Sequence, residues 1–320
     1  MDGYEAVRKT SGWRDRSGAG LDGTARLRVT GPDRAAWLQG LLTNDIAALK
    51  PGDGCYAAYL TPQGRMIADV RVLARADHML LDVPASQKAA VLDRLSSFII
   101  MEDVAIEDVT DTIGRLALHG PTSASRLNVL NLAEHANVEV AIGDRTILIA
   151  GSHDLGVSGF DVYGPPEILA TLHEGATPID DEAWHTLRVE AGRPLFGVDM
   201  TTDTIPLEAG IEDRAISFTK GCYVGQEIII RVMHRGHGRV ARKLVGLRAD
   251  GAVREGAPIA AGDRSIGHVT SAACSPRLEG WIAMGYVHRD FVEDGTAVTI
   301  GDAASGAVAA RVTKLPFEPA

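Results

Sequence analysis

The chain has 320 residues, 45% of them hydrophobic and 23% charged, and a net charge of −10. That length exceeds one ordinary hydrophobic core and favours two or three packed units, while the composition excludes a disordered or fibrous protein. The acidic balance argues against a general nucleic-acid binder, which draws most of its non-specific affinity from a basic field, so an anionic ligand has to be met by local charges.

No apolar run approaches the roughly 20 residues that span a bilayer, and the N-terminal stretch lacks the apolar core of a signal peptide. Arg8, Lys9, Arg14 and Arg16 are interspersed with Asp2, Glu5 and Asp15, unlike an acid-poor transit peptide. A cytoplasmic protein is the expectation. Cys55, Cys222 and Cys274 are far apart in the chain and form no C-x-x-C pair. They read as reduced thiols rather than as a disulfide framework or metal cage.

In chain order, Ala25–Val29 alternates as a half-buried strand, and Gly31-Pro32 opens a helix that places Trp37, Leu38, Leu41 and Leu42 on one face. Cys55–Leu60 and Met66–Leu73 read as a hairpin about the turn Thr61-Pro62-Gln63-Gly64. A strand at Met79–Val83 precedes helical spacing over Ser86–Ile99. Further strands are predicted at Arg115–Leu118, Thr146–Ala150 and Gly159–Val162, with a helical piece at Ser123–Leu132. Asp180 or Asp181 caps a helix through Trp184, Leu187 and Val189 that Gly192 and Pro194 stop. Another helix is expected through Ile228, Ile229, Val232 and Met233. Beyond residue 238 the texture becomes short runs with glycine at the corners: Leu244–Leu247, Ile266–Thr270, Ile282–Val287, Ala297–Ile300 and Ala307–Val312. This predicts a small β-barrel or sandwich.

The segment from Lys220 to Lys243 holds Lys220, Arg231, Arg235, Arg239, Arg242 and Lys243 against Glu227. Such a patch can hold a polyanion, although composition alone favours a solvated face. Cys222 precedes the predicted helix and stands near Lys220 in sequence, a setting that lowers a thiol pKa; the competing reading is a small buried apolar residue. His234 and His237 lack the further ligands of a metal site, and none is expected. There is no G-x-S-x-G elbow and no phosphate-binding glycine loop between a strand and a helix. Asp69, next to apolar residues, is either an acid–base or hydrogen-bonding group or simply the polar face of a strand. Glu208, after Pro206, is a second candidate, able to grip a ring that carries N–H donors.

Four spaced segments then resemble the glycine-cleavage T-protein family in the expected order: Trp37-Leu38-Gln39-Gly40-Leu41-Leu42-Thr43-Asn44-Asp45, Leu118-His119-Gly120-Pro121-Thr122, Arg188-Val189-Glu190-Ala191-Gly192 and Gly267-His268-Val269-Thr270-Ser271. The octet Lys220-Gly221-Cys222-Tyr223-Val224-Gly225-Gln226-Glu227 resembles the YgfZ branch of that family, whose mitochondrial counterparts assist iron–sulfur cluster assembly. T-proteins usually have aspartate where Cys222 stands. The resemblance implies an α+β fold, with two interleaved mixed α/β units around a central folate site in residues 1–236, divided near residue 112, and a C-terminal β-barrel in residues 237–320. It implies a tetrahydrofolate or derivative as cofactor, no stable iron–sulfur cluster, iron–sulfur client or assembly proteins as partners, and a monomer. By the same resemblance Asp69 lies beside the reactive folate nitrogens and Glu208 hydrogen-bonds the pterin. Cys222 and Lys220 join Asp69 as the expected catalytic group, and Tyr223 and Arg239 join Asp69 and Glu208 as cofactor-binding residues. The family's Tyr-Thr-Gly-Glu-like folate segment is not recognisable in Ser152–Gly159. The leading expectation is a folate-binding accessory protein for iron–sulfur enzymes; the alternative is a tetrahydrofolate-dependent aminomethyl or one-carbon transferase.

Overall fold

The computed structural model describes residues 1–18, 20–234, 239–301 and 306–318, and only the backbone of residue 234. The expected domain boundary at 236/237, together with Arg235 and His237, lies outside the described residues.

The first sheet is antiparallel, with strands in the order Gly54–Leu60, Met66–Ala74, His78–Pro84, Thr24–Thr30 and Ala105–Asp108. Its two faces follow from the period of two in a strand. On one face Leu27, Val29, Ala57, Tyr59, Ala68, Val70, Val72, Leu81 and Val83 form an apolar core with Trp37, Leu38, Val91 and Leu95 from the helices Arg34–Gln39 and Lys88–Ser97. The alternate positions of the same strands carry Arg26, Tyr56, Asp69, Arg71 and Asp82. The second sheet is six-stranded, in the order Thr177–Pro178, Gly12–Asp15, Gly114–His119, Gly159–Gly164, Arg145–Ser152 and Asn137–Ile142. Leu116, Leu118, Ile149, Phe160 and Val162 bury its outer face under short helices. Arg115, Asp161 and Tyr163 stand at the alternate positions. The N-terminal strand Gly12–Asp15 pairs with Gly114–His119 before the chain enters the first sheet, so the two units are interleaved.

Where the sheets meet, charge is buried. Arg115 is fully buried and donates to both oxygens of Asp161, at 2.9 and 2.7 Å, and to Asp82 at 2.6 Å. Arg71 donates to Asp154 at 2.6 Å and Arg16 to the same oxygen at 3.1 Å. Arg16, Arg71 and Arg115 thus face Asp82, Asp154 and Asp161, while the buried Arg26 donates to the carbonyls of Ile113 and Thr110, so each buried guanidinium finds acceptors. The third unit is a closed barrel of Arg242–Ala249, Gly280–His288, Arg264–Ser275, Pro258–Ala261, Ala297–Ile300 and Val308–Thr313, which decides between barrel and sandwich. It is pinned to the helix Asp181–Glu190 by Arg188, which donates to Asp199 at 2.6 Å and to Ser271 at 2.8 Å.

The helix expected at Ser123–Leu132 stops at Leu127, because Asn128 turns left-handed at φ 52°. The N-terminal helix Gly3–Lys9 and the strand Asn137–Ile142 had no expectation in the sequence. No helix among the described residues is long and apolar enough to cross a membrane.

Replacing Arg115 by Met strands two buried carboxylates, so Arg115→Met is expected to lower stability by about 3–5 kcal/mol, read from denaturant midpoints at neutral pH.

Candidate functional site

Asp69 lies inside the strand Met66–Ala74, on the face turned from the apolar core. The Tyr56 hydroxyl, across the hairpin, donates to its Oδ2 at 2.9 Å; Oδ1 is buried and finds no partner among the described residues. Burial raises the carboxyl above the ordinary aspartate range, against the pull of Arg71 and the Tyr56 hydrogen bond. Arg71 is two residues away but serves Asp154, whose carboxyl is held far below the usual range by Arg71, Arg16 and Arg115, which outweigh its burial. Asp69 therefore remains unpaired among paired neighbours and is suited to accept or exchange a proton.

This carboxylate opens on a cavity of about 50 Å³ whose wall includes Tyr56, Arg71, Asp154, Trp184, Arg188, Arg193, Phe196 and Arg214. Grooves of about 750 and 940 Å³ flank it. Leu21, Trp184 and Arg188 are shared with the first groove, and Arg193 and Arg214 with the second. The Arg214 guanidinium sits 4.9 Å from the centre of the Tyr56 ring. Glu134 accepts from Arg214 at 2.8 Å and lies 3.3 Å from Arg193. Glu134 is brought there by a close approach of chains: a Cβ on Gly151 would stand 2.2 Å from the Ala133 carbonyl oxygen. His135, at φ 67°, completes the turn, and burial pushes its ring pKa down to about 4.

The other expected residues are dispersed. Lys220 is not a partner of the Cys222 thiol: its ammonium donates to the carbonyls of Gln39, Leu42 and Asn44 at 2.6, 2.6 and 2.9 Å, and the titratable groups acting on its charge are Asp45 and Cys55. Burial lowers its pKa to about 8, although three carbonyl acceptors work in the opposite direction. Cys222 is exposed, four residues before the helix Gln226–His234 begins. Burial pushes the Cys55 thiol up to about 12. Tyr223 packs into the apolar cluster that also holds the Tyr56 ring. Glu208 accepts from the Ile205 N–H at 3.4 Å and from Arg242 at 3.3 Å, and it lies outside the wall of the Asp69 cavity. Arg239 is exposed. The supposed basic patch is partly neutralised within the fold, since Lys220 meets carbonyls, Arg242 meets Glu208 and Lys243 meets Glu212 at 3.6 Å. Sequence reasoning missed Tyr56, Arg71, Arg193 and Arg214; the available signal was an arginine inside an apolar run, as in Val70-Arg71-Val72.

Residues 2–152 match the family described as the GCVT N-terminal domain, and residues 242–318 match the glycine cleavage T-protein C-terminal barrel domain. The chain is 32% identical to the aminomethyltransferase of Rubrobacter xylanophilus, covering 98% of this chain and 85% of that one. It is also 32% identical to the aminomethyltransferase of Streptomyces coelicolor, over 98% of this chain and 88% of the other. The crystal structure of glycine cleavage system aminomethyltransferase T from Bartonella henselae superposes with a TM-score of 0.87 at 26% identity, over 98% of this chain and 88% of that one.

Two variants test the site's electrostatics. Because the folded-state pKa of Asp69 is raised, the folded state holds its proton more tightly, and this residue's contribution to stability falls as pH rises from the unfolded value of 3.8 through the raised folded one. Asp69→Asn is expected to gain stability over the wild type at neutral pH and to lose that advantage below pH 3.8, as read by urea unfolding at both pH values. Lys220→Met leaves three carbonyls without their donor and is expected to cost about 1–3 kcal/mol, with the alkylation rate of exposed Cys222 in the folded protein unchanged.

Proposed function

The chain belongs to the glycine-cleavage T-protein (GcvT) family, and on that footing we propose that it binds a reduced folate at Asp69 and acts as a tetrahydrofolate-dependent aminomethyl or one-carbon transferase. The observation that carries this reading is Asp69 in the wall of the central cavity, its buried Oδ1 without a partner among the described residues. A pterin ring bears N–H groups that such an acceptor matches, and the cavity's arginines suit the carboxylates of a folate tail. The aminomethyltransferases among its relatives support the same chemistry. Bound tetrahydrofolate would supply the nitrogen that takes up the one-carbon unit. Asp69 orients the ring and exchanges a proton at its Oδ1; Tyr56 holds Oδ2 and so fixes the direction of Oδ1. Trp184 and Phe196 supply apolar surface to the cavity wall.

A second reading rests on Cys222. Its exposure within the YgfZ-like octet favours a folate-binding accessory protein for iron–sulfur enzymes, in which the thiol meets a client. This reading does not require turnover.

Calorimetry with tetrahydrofolate is expected to detect binding by the wild type and weaker binding by Asp69→Ala. With an aminomethyl donor, Asp69→Ala is expected to lose roughly 10²–10⁴-fold in turnover. Absence of any methylene-tetrahydrofolate from the wild type would sink the transferase reading. In a deletion strain, equal rescue of iron–sulfur enzyme activities by wild type and Cys222→Ala would count against the thiol's role.

A further inference from the structure

His119 ends the strand Gly114–His119, on the same face as Arg115, and is fully buried. It lies opposite Gly159, where a Cβ would stand 2.3 Å from its Nδ1, so the glycine makes room for the imidazole. The ring meets Trp184 nearly edge-on, with the ring centres 5.9 Å apart at 74°. Neither ring nitrogen has a partner among the described residues, nor has the buried Oγ of Ser152 on the strand beyond Gly159. Buried polar atoms nearly always find partners, and an exception calls for a reason.

The charges around the ring are already matched. Arg115 on its own strand holds Asp161 on the next strand and also takes Asp82. Asp154, in the loop after Arg145–Ser152, takes Arg16 and Arg71. Arg14 pairs with Asp22 and Asp181. From the helix Asp181–Glu190, Arg188 turns to Asp199, and from Gly3–Lys9, Tyr4 and Arg8 turn to Glu190. An imidazolium at this place gains a carboxylate only by drawing Asp154 or Asp161 away from its arginines. Burial brings the pKa of His119 down to about 4, with Arg16 and Arg115 opposing the attraction of Asp161 and Asp154.

We infer that His119 is an acid-sensitive latch on the central site: uncharged, it lets the two sheets close, and its protonation loosens them along the web that Asp154 and Asp161 complete. Arg16, Arg71, Asp82, Asp154 and Trp184 also stand in the wall of the Asp69 cavity, so the part that loosens is the part that encloses the cavity. An opened form, with His119 in water and its pKa near the ordinary 6.5, binds a proton more readily than the closed form does at about 4. Closure is therefore fully favoured above pH 6.5 and weakens as pH falls towards 4, and the ratio of open to closed molecules rises about 30-fold between pH 7.5 and 5. The latch is independent of which ligand the cavity takes.

Hydrogen exchange on the full chain at pH 7.5 and 5 tests this, read as the ratio of wild-type to His119→Gln rates so that the chemical pH dependence of exchange cancels. On moving to pH 5, the ratio is expected to rise about tenfold or more for amides of Gly114–His119 and Gly159–Gly164. It is expected to stay level in the barrel strands Arg264–Ser275 and Gly280–His288. His119→Phe, which keeps a ring in the space beside Gly159, is read in the same way if His119→Gln does not fold. A ratio that stays level in every strand overturns the latch. So does an equal rise in all of them, which marks a buried histidine that supports only global stability. In the wild type alone, an imidazole resonance of His119 that titrates near 6.5 in the folded protein overturns it as well.

Discussion

Burial of opposite charges between the two sheets is the constraint on which the rest depends. Arg115 and Asp161 sit on neighbouring antiparallel strands, Asp82 comes from the opposite sheet, and Arg71 and Arg16 reach Asp154. Away from water an ion pair adds less net stability than its short distances suggest, but removing one member leaves its partner's charge uncompensated. The web therefore acts less as a source of stability than as a fixed relation between two sheets that a purely apolar interface would allow to slide. That relation also explains why Asp69 is different. Arg71, two residues away on the same strand, is committed to Asp154 and comes within 4.0 Å of Asp82, so the nearby cation leaves Asp69 without an ion pair.

Glu190 plays a comparable role at the outer edge. It ends the helix Asp181–Glu190, accepts from Tyr4 of the N-terminal helix and lies 3.4 Å from Arg277 of the barrel unit. With Arg8 also paired to it, one carboxylate joins three parts of the chain. Lys220 does the same for the octet. Its ammonium closes the carbonyls that follow the helix Arg34–Gln39, so the lysine of the motif secures the segment while the cysteine two residues later stays at the surface.

The fold was legible where periodicity carries the signal. Alternation gave the hairpin Cys55–Leu60 and Met66–Leu73, and Asp180, which accepts from the Ala183 N–H at 2.8 Å, caps the helix it was expected to start. The strand Asn137–Ile142 was missed although it alternates, with Val138, Val140 and Ile142 packed on the core and Glu139 and Ala141 exposed; it is an edge strand whose core-facing side chains are only half-buried. The candidate site was legible only at Asp69. Its companions Tyr56, Arg193 and Arg214 come from separate stretches of chain, and nothing local reveals that Arg193 and Arg214 share the oxygen of Glu134. The octet drew attention to Lys220 beside Cys222, yet adjacency along the chain does not set side-chain direction, and the lysine points into the fold.

The interleaved N-terminal strand has a consequence for how the molecule is made. Gly12 pairs with His119 on one side and with Thr177 on the other, so this strand, made before either partner, waits first for Gly114–His119 and then for Thr177–Pro178. Closing loops of that length is slow compared with forming the local hairpins of the first sheet. The first sheet is thus complete as a template early, while the second waits for distant chain. During that interval the emerging Gly12–Asp15 segment is an unpaired edge, open to wrong strands and to chaperones.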